Sequence, residues 1–275
     1  MDGNKTVYIS DHSESVLRSH SWRTAANSAE YLLNLVEPTM RILDVGCGPG
    51  TISADLATLV PQGEVIAIDF GEEAIEKART MASERRGLSN LHFEMGDAHN
   101  LAFEPDSFDI VHSHQVLQHL SNPAHALREW RRVTKPGGIV ASRVADMAAV
   151  SYYPEDMLRD FHNLYLQVSR AYGGFPDGGR RVVAWAMVAG FPRHAITPSS
   201  SVWCYSEPEA RAWWSSLWAD RLIKSSLHGN AVDGGFATPA EMERLARSWH
   251  EWGACDDGFY ALLHGEILCR NVATS

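Results

Sequence analysis

Asp44-Val-Gly46-Cys47-Gly48-Pro-Gly50, followed at a distance by Asp69, is where residue types and spacing best suit ligand chemistry. Glycine allows sharp turns and lets a ligand approach where a Cβ would collide. The run follows the apolar Arg41-Ile-Leu-Asp and precedes Thr51-Ile-Ser-Ala-Asp-Leu-Ala, so it reads as a buried strand breaking into a loop and then a helix. A second strand, Glu64-Val-Ile-Ala-Ile-Asp69, ends on a carboxylate placed near that loop, where a ribose would present its hydroxyls. A dinucleotide site usually shows Gly-x-Gly-x-x-Gly and a helix N-terminus facing a pyrophosphate. Here the third glycine comes one residue early, and the loop opens with Asp44 and holds no Lys or Arg. An acidic loop suits a cationic ligand better than a pyrophosphate. A tight strand-to-helix turn with no ligand at all is the plainer alternative.

S-adenosylmethionine carries a sulfonium and an adenosine and no phosphate. The pattern resembles the class I S-adenosylmethionine-dependent methyltransferases. Two further segments match that family in order and spacing. Leu91-His-Phe-Glu-Met-Gly-Asp97-Ala98 is similar to its third strand and the turn whose acid receives the adenine amino group. Ser107-Phe-Asp-Ile-Val-His112-Ser-His114-Gln115 is similar to its fourth strand and the loop beside the methionyl part of the cofactor. The resemblance implies a cofactor set of Asp44, Gly46, Cys47, Gly48, Gly50, Asp69, Phe70, Asp97, Ala98, His99 and Gln115, with Arg23 facing the methionyl carboxylate. It covers residues 41–145. The body of the chain resembles the ubiquinone/menaquinone-biosynthesis (UbiE-type) small-molecule subgroup. The surroundings look closest to fungal and actinobacterial relatives in secondary metabolism, including the thiomethyltransferases that cap gliotoxin-like dithiols.

Those residues need a scaffold. Strands read near 41–45, 64–69, 91–95, 107–112 and 137–144 alternate with helical segments, including Glu72–Arg86 and Pro123–Thr134. Such alternation implies a parallel sheet with helices on both faces. Two later strands, Ser199–Tyr205 and Phe259–Cys269, bring the count to seven. The expectation is a single α/β domain: a doubly wound, mostly parallel, seven-stranded, Rossmann-like sheet. Residues 1–40 would form an N-terminal lid, with one helix over Ser21–Leu33, and residues 146–190 and 207–253 helical lid insertions. All nine tryptophans but Trp130 fall in these additions or in the late strand Ser199–Tyr205, most of them as filling for a lid core. Trp22 and Trp203 are better placed for an acceptor pocket, with Tyr8, His12, Tyr152 and Tyr153 as further lid candidates.

Methyl transfer from a sulfonium needs alignment and exclusion of water more than acid–base help. Of the clustered histidines, His114 is the candidate general base, and His119 reads as a packed histidine. A metal site is not expected, because the cluster lacks a carboxylate. Sulfur acceptors fit the lack of a strong base, since a thiol with pKa about 8.5 is already partly ionised at neutral pH. A phenol or carbon acid with histidine help stays open as the acceptor, and an NAD-dependent oxidoreductase or a silent cofactor-binding module stays open as the function.

Composition bounds these readings. The chain has 275 residues, 45% hydrophobic and 21% charged, enough to bury a sizeable core. A net charge of −10 argues against electrostatic binding of nucleic acid. Four cysteines without zinc or disulfide spacing suit a reduced, cytoplasmic setting. The polar start, Met1-Asp-Gly-Asn-Lys-Thr, does not read as a signal peptide, and no apolar run approaches a membrane span. The expected partner is a small-molecule substrate, with no obligate protein partner.

Overall fold

Five parallel strands occupy the centre of the sheet: β1 (Arg41–Val45), β2 (Glu64–Asp69), β3 (Leu91–Met95), β4 (Phe108–His114) and β5 (Thr134–Ala145). They come from a computed structural model that describes residues 20–84 and 88–272. Their order is β3-β2-β1-β4-β5. After β5 the chain turns through Met147–Ala149 into the short β6 (Ser151–Tyr153), and β7 (Ile196–Tyr205) and β8 (Phe259–Arg270) complete an eight-stranded sheet. β8 runs antiparallel to β5, with Ile139 opposite Arg270 and Ala145 opposite His264. β7 lies antiparallel along the other edge of β8, from Ile196 opposite Cys269 to Tyr205 opposite Tyr260.

The eighth strand is β6, where the sequence predicts seven. β8 outruns β5, so its residues around Tyr260 would leave backbone groups unpaired on that edge, and Tyr152 pairs there instead. Three residues carry too little alternation to mark a strand by themselves.

Helices cover both faces of the sheet. Ile42, Val65 and Ile110 pack on one side with Leu32 and Leu56, whereas their neighbours Leu43, Ile66 and Val111 pack on the other with Leu127 and Trp130. Consecutive residues of a strand point to opposite faces, so a strand covered on both sides must be apolar throughout. Leu32 belongs to the N-terminal segment, which is not one helix over Ser21–Leu33. It divides into α1 (Ala25–Ser28) and α2 (Glu30–Leu33). Thr24 accepts from the backbone of Asn27 while the Asn27 side chain accepts from Thr24 N–H, a reciprocal cap that starts a new helix at Ala25. Leu56 lies on α3 (Thr51–Leu59), and α4 (Glu72–Glu84) and α5 (Pro123–Val133) make the later crossovers.

The remaining helices are α6 (Glu155–Ala171), α7 (Val182–Val188), α8 (Pro208–Lys224), α9 (Ser226–Asp233) and α10 (Pro239–Gly253). Residues 207–253 thus hold three helices. Ser225 closes α8 and caps α9, its side chain accepting from Leu227 N–H. α7 departs from the lid reading of 146–190: Val182 and Ala186 join the sheet core beside Trp130. α6, α8, α9 and α10 form a cap whose own core includes Phe161, Trp218, Trp249 and Trp252, laid on Tyr205, Tyr260 and Leu262 of β7 and β8. Among the described residues no helix is long and apolar enough to cross a membrane.

Candidate active site

Strand order reverses at β1, with β2 and β3 on one side and β4 and β5 on the other. An open α/β sheet leaves a crevice beyond the carboxyl ends of its strands at such a point. A cleft opens there, lined by the glycine loop, residues 69–71 and 96–98 and the segment after β4, with His20 and Arg23 reaching over it.

The acids have distinct roles. Asp69 accepts from Gly48 N–H through Oδ2 (3.0 Å) and from Gly71 N–H through Oδ1 (3.1 Å). Each carboxylate oxygen has a second lone pair, so both can still accept from a ligand hydroxyl. Asp44 is buried and anchors the loop instead: Oδ1 meets His112 Nδ1 at 2.8 Å and Oδ2 accepts from Ser53 Oγ at 2.6 Å. Asp97 lines the cleft with Ala98, and its Oδ1 accepts from His99 N–H (2.8 Å). His99 itself lies buried behind Asp97 and outside the cleft lining. Phe70 sits on the rim, 68% exposed.

The loop glycines separate by role. Gly50 (φ +76°) does not line the cleft: it leads into α3, and a Cβ there would lie 2.6 Å from Phe93 Cε1. Gly48 (φ +53°) does line it, and a Cβ would meet only His20 Nδ1, at 3.6 Å. That side of Gly48 is open space for a ligand. Gly46 and Cys47 also line the cleft, and burial with Asp69 nearby pushes the Cys47 thiol well up, which disfavours its thiolate.

A second cavity adjoins the first, and the two share His20, Arg23, Gln115 and His119. These four residues form a neck. Arg23 donates to Gln115 Oε1 (2.9 Å), which leaves the Gln115 amide nitrogen to donate to His264 Nε2 (3.0 Å). His264 is therefore unprotonated at Nε2, in line with burial and Arg143 holding it well below the usual imidazole range. Gln115 takes φ +54° and its N–H donates to Arg143 O (2.7 Å), so the backbone aims this side chain at the neck. His114 lines the cofactor side of the neck, its ring nitrogens without a protein partner. Burial, then Arg23 and Arg143, hold it well below the usual range. His119, read as a packed histidine, lines both cavities and is pushed down to about 4 by burial and by Arg23 and Arg221.

Trp22 and Trp203 line the second cavity, their rings edge-on at 5.2 Å. Tyr152 and Tyr153 do not: they sit in β6, Tyr152 against His162 and Tyr260, outside both linings. Tyr8 and His12 lie outside the described residues. Sequence reasoning missed Tyr205, Trp214, Trp218 and Arg221, which line this cavity while belonging to β7 and α8. The Trp213-Trp214 pair with Trp218 one turn on was the available signal, but a packed core produces the same spacing. Among the described residues no cluster of His, Cys, Asp or Glu could hold a metal ion.

Residues 37–179, more than half of the chain, match the methyltransferase domain family. The chain belongs to that family. An uncharacterized methyltransferase of Schizosaccharomyces pombe is 36% identical, the match covering 93% of each chain. The demethylmenaquinone methyltransferase of Desulfitobacterium hafniense is 35% identical over 41% of this chain and 44% of its own. The crystal structure of the YcgJ protein of Bacillus subtilis shares the fold, with a TM-score of 0.56 and 20% identity over 88% of this chain and 98% of that one. Family membership removes the oxidoreductase reading.

The methyltransferase cofactor is S-adenosylmethionine. The cleft fits it on its own terms. Asp69 offers lone pairs to a ribose, the face of Gly48 is open, and Asp44, Asp69 and Asp97 supply negative charge toward a sulfonium.

Proposed function

We propose that this methyltransferase transfers the methyl group to a small organic metabolite held in the second cavity, and that the acceptor atom reaches the neck already ionised. A thiol is the first reading, and the gliotoxin-type dithiol is one member of that class. The observation that carries it is the state of the neck histidines. His114 is held well below its ordinary range and His119 at about 4, with Arg23 acting on both. A histidine so placed resists taking up a proton, which makes it a poor base for a phenol of ordinary pKa about 10. A thiol needs no such help. Bound S-adenosylmethionine supplies an electrophilic methyl on a sulfonium that departs as a neutral thioether. The protein's part is to orient the acceptor against Gln115, to keep Arg23 over the neck and to exclude water. The match to the demethylmenaquinone methyltransferase covers 41% of this chain and 44% of that one, so it does not carry over a quinol acceptor.

A labelled methyl donor with a panel of thiols, phenols and quinols tests this reading. On the acceptor it identifies, a thiol should give a rate that rises with pH as the thiolate forms. His114→Ala should slow it by less than about 10²-fold, the lower end of general-base effects. Loss of transfer at every pH, with cofactor binding intact, would make His114 an essential base and sink the preionised-acceptor reading.

A further inference from the structure

We infer that His264 is a positioning residue for methyl transfer: its Nε2 holds the Gln115 amide in the orientation that turns the carbonyl oxygen to Arg23, and so sets what the neck presents to cofactor and acceptor. This rests on the methyltransferase reading of the first cleft. It gives a role to a residue that lines neither cavity.

Backbone geometry gives the first reason. Gln115 takes φ +54°, a left-handed conformation that residues other than glycine adopt at a cost. Its N–H is held by Arg143 O at 2.7 Å, so the conformation is built into the end of β4. The turn sets one side chain between two partners far apart in the sequence, Arg23 on the N-terminal segment and His264 on β8.

Amide chemistry gives the second. A glutamine side chain ends in an acceptor and a donor of nearly equal size, so shape does not choose between its two orientations. Arg23 only donates, and it meets the oxygen at 2.9 Å. The amide nitrogen then points at His264 Nε2 (3.0 Å), which has to accept. The two contacts agree only while Nε2 carries no proton. A proton there would set two donors face to face, and the reversed amide would set its NH2 against the guanidinium. In the observed orientation the second amide N–H and the second lone pair of the oxygen are left for a ligand, because Gln115 lines both cavities.

The surroundings of the ring give the third. His264 is fully buried, edge-on to Trp203 at 4.4 Å and stacked at 6.4 Å from His114. Burial, then Arg143 and Arg23, disfavour its imidazolium. Arg143 is itself fixed, paired with Glu266 (3.2 Å) and set over the Trp203 ring (4.6 Å). A neutral imidazole carries one proton, and with Nε2 accepting that proton sits on Nδ1.

Two measurements test this. Histidine-ring 15N–1H correlation spectra of the full chain near neutral pH read the tautomer, the His264 signals being those missing from His264→Gln. The Nδ1–H form is expected. Calorimetric titration with S-adenosylhomocysteine then compares wild type, His264→Phe, Gln115→Leu and the double variant. His264→Phe keeps a ring against Trp203 and removes the acceptor. Each single variant should weaken binding by about tenfold, as loss of a hydrogen bond to a charged group implies. The double variant should bind no more weakly than Gln115→Leu alone, since His264 acts through Gln115, whereas a merely structural role would add its own loss. The tautomer is read on wild type, so a His264→Phe protein that fails to fold leaves that test in force. An Nε2–H tautomer, wild-type affinity in His264→Phe, or losses that multiply in the double variant overturns the inference while leaving the methyltransferase reading standing. Failure of wild type to bind S-adenosylhomocysteine would remove both together.

Discussion

Asp69 shows how one side chain can brace a loop and keep lone pairs for a ligand. Its carboxylate already receives Gly48 and Gly71 N–H, so Asp69→Ala loses a loop brace as well as a ribose acceptor. Calorimetry should record a loss of about 1.5–3 kcal/mol in S-adenosylmethionine affinity, the range for hydrogen bonds to a charged group. An unchanged affinity would remove Asp69 from the site. His119 carries a pH dependence whose sign follows from its lowered pKa. In the unfolded chain it takes a proton near pH 6.5, while in the fold it does so only near 4. Between those values the unfolded state holds more protons, so stability is present above about pH 6.5 and is lost as pH falls toward 4. His114 and His264 are shifted the same way and add to the loss. Thermal unfolding of wild type from pH 7 to pH 4 should show a falling midpoint, and His119→Gln a shallower fall. The place of Asp69 beside the loop was legible because a strand end that follows a glycine loop is a short-range feature. His119 was not, because the spacing of a packed histidine and of a neck histidine is the same.

The N-terminal segment is tied down by contacts that no periodicity announces. Trp203 Nε1 donates to Asn27 O (3.0 Å), Ala25 N–H donates to Asp55 Oδ2 (2.9 Å), and Arg23 reaches Gln115. Ala25, Ala29 and Leu32 also pack on Ile42 and Leu56, so deleting this segment would strip the sheet as well as open the site. Trp203→Phe is the cleaner cut. It keeps an aromatic wall and removes one hydrogen bond worth about 1 kcal/mol. Amide exchange at residues 25–28 should quicken while exchange in β1 and β4 stays slow. If residues 25–28 keep wild-type protection, Trp203 is not what holds the segment down. The break between α1 and α2 was hidden for a related reason: the apolar residues keep helical spacing through Ala29, and only that residue's own backbone (φ −135°), with no side-chain cap, marks the new start.

Across the whole molecule the first cleft lies at the crevice of the sheet, and the cap supplies part of the wall of the second cavity. Trp218 and Trp249 stack in the cap core, and Trp249 and Trp252 are fully buried there. Trp249→Ala should destabilise the protein by about 3–5 kcal/mol, as large-to-small changes of buried aromatics do. Denaturant unfolding measures that loss, and a change below about 1 kcal/mol would show the cap to be loosely packed. Because α8 holds Trp214 and Trp218 on the cavity side and the cap core behind them, filling a core and lining a site are here one property of one helix.

The local order of the chain was enough for the cofactor half. Glycine loop, strand-end acids and strand–helix alternation are short-range features, and a parallel sheet with a reversal of strand order has one crevice in which they can meet. The second cavity was decided only in three dimensions. Arg221, Tyr205 and Trp218 reach the neck residues Gln115 and His119 from segments about a hundred residues away, across β7, β8 and α8. Nothing in the spacing of a tryptophan says whether its N–H will find a carbonyl, as Trp203 does, or face a cavity without a partner, as Trp218 does. That depends on which surface the cap presents once it packs on the sheet, and packing is set by the sum of many long-range contacts rather than by any short pattern of residues.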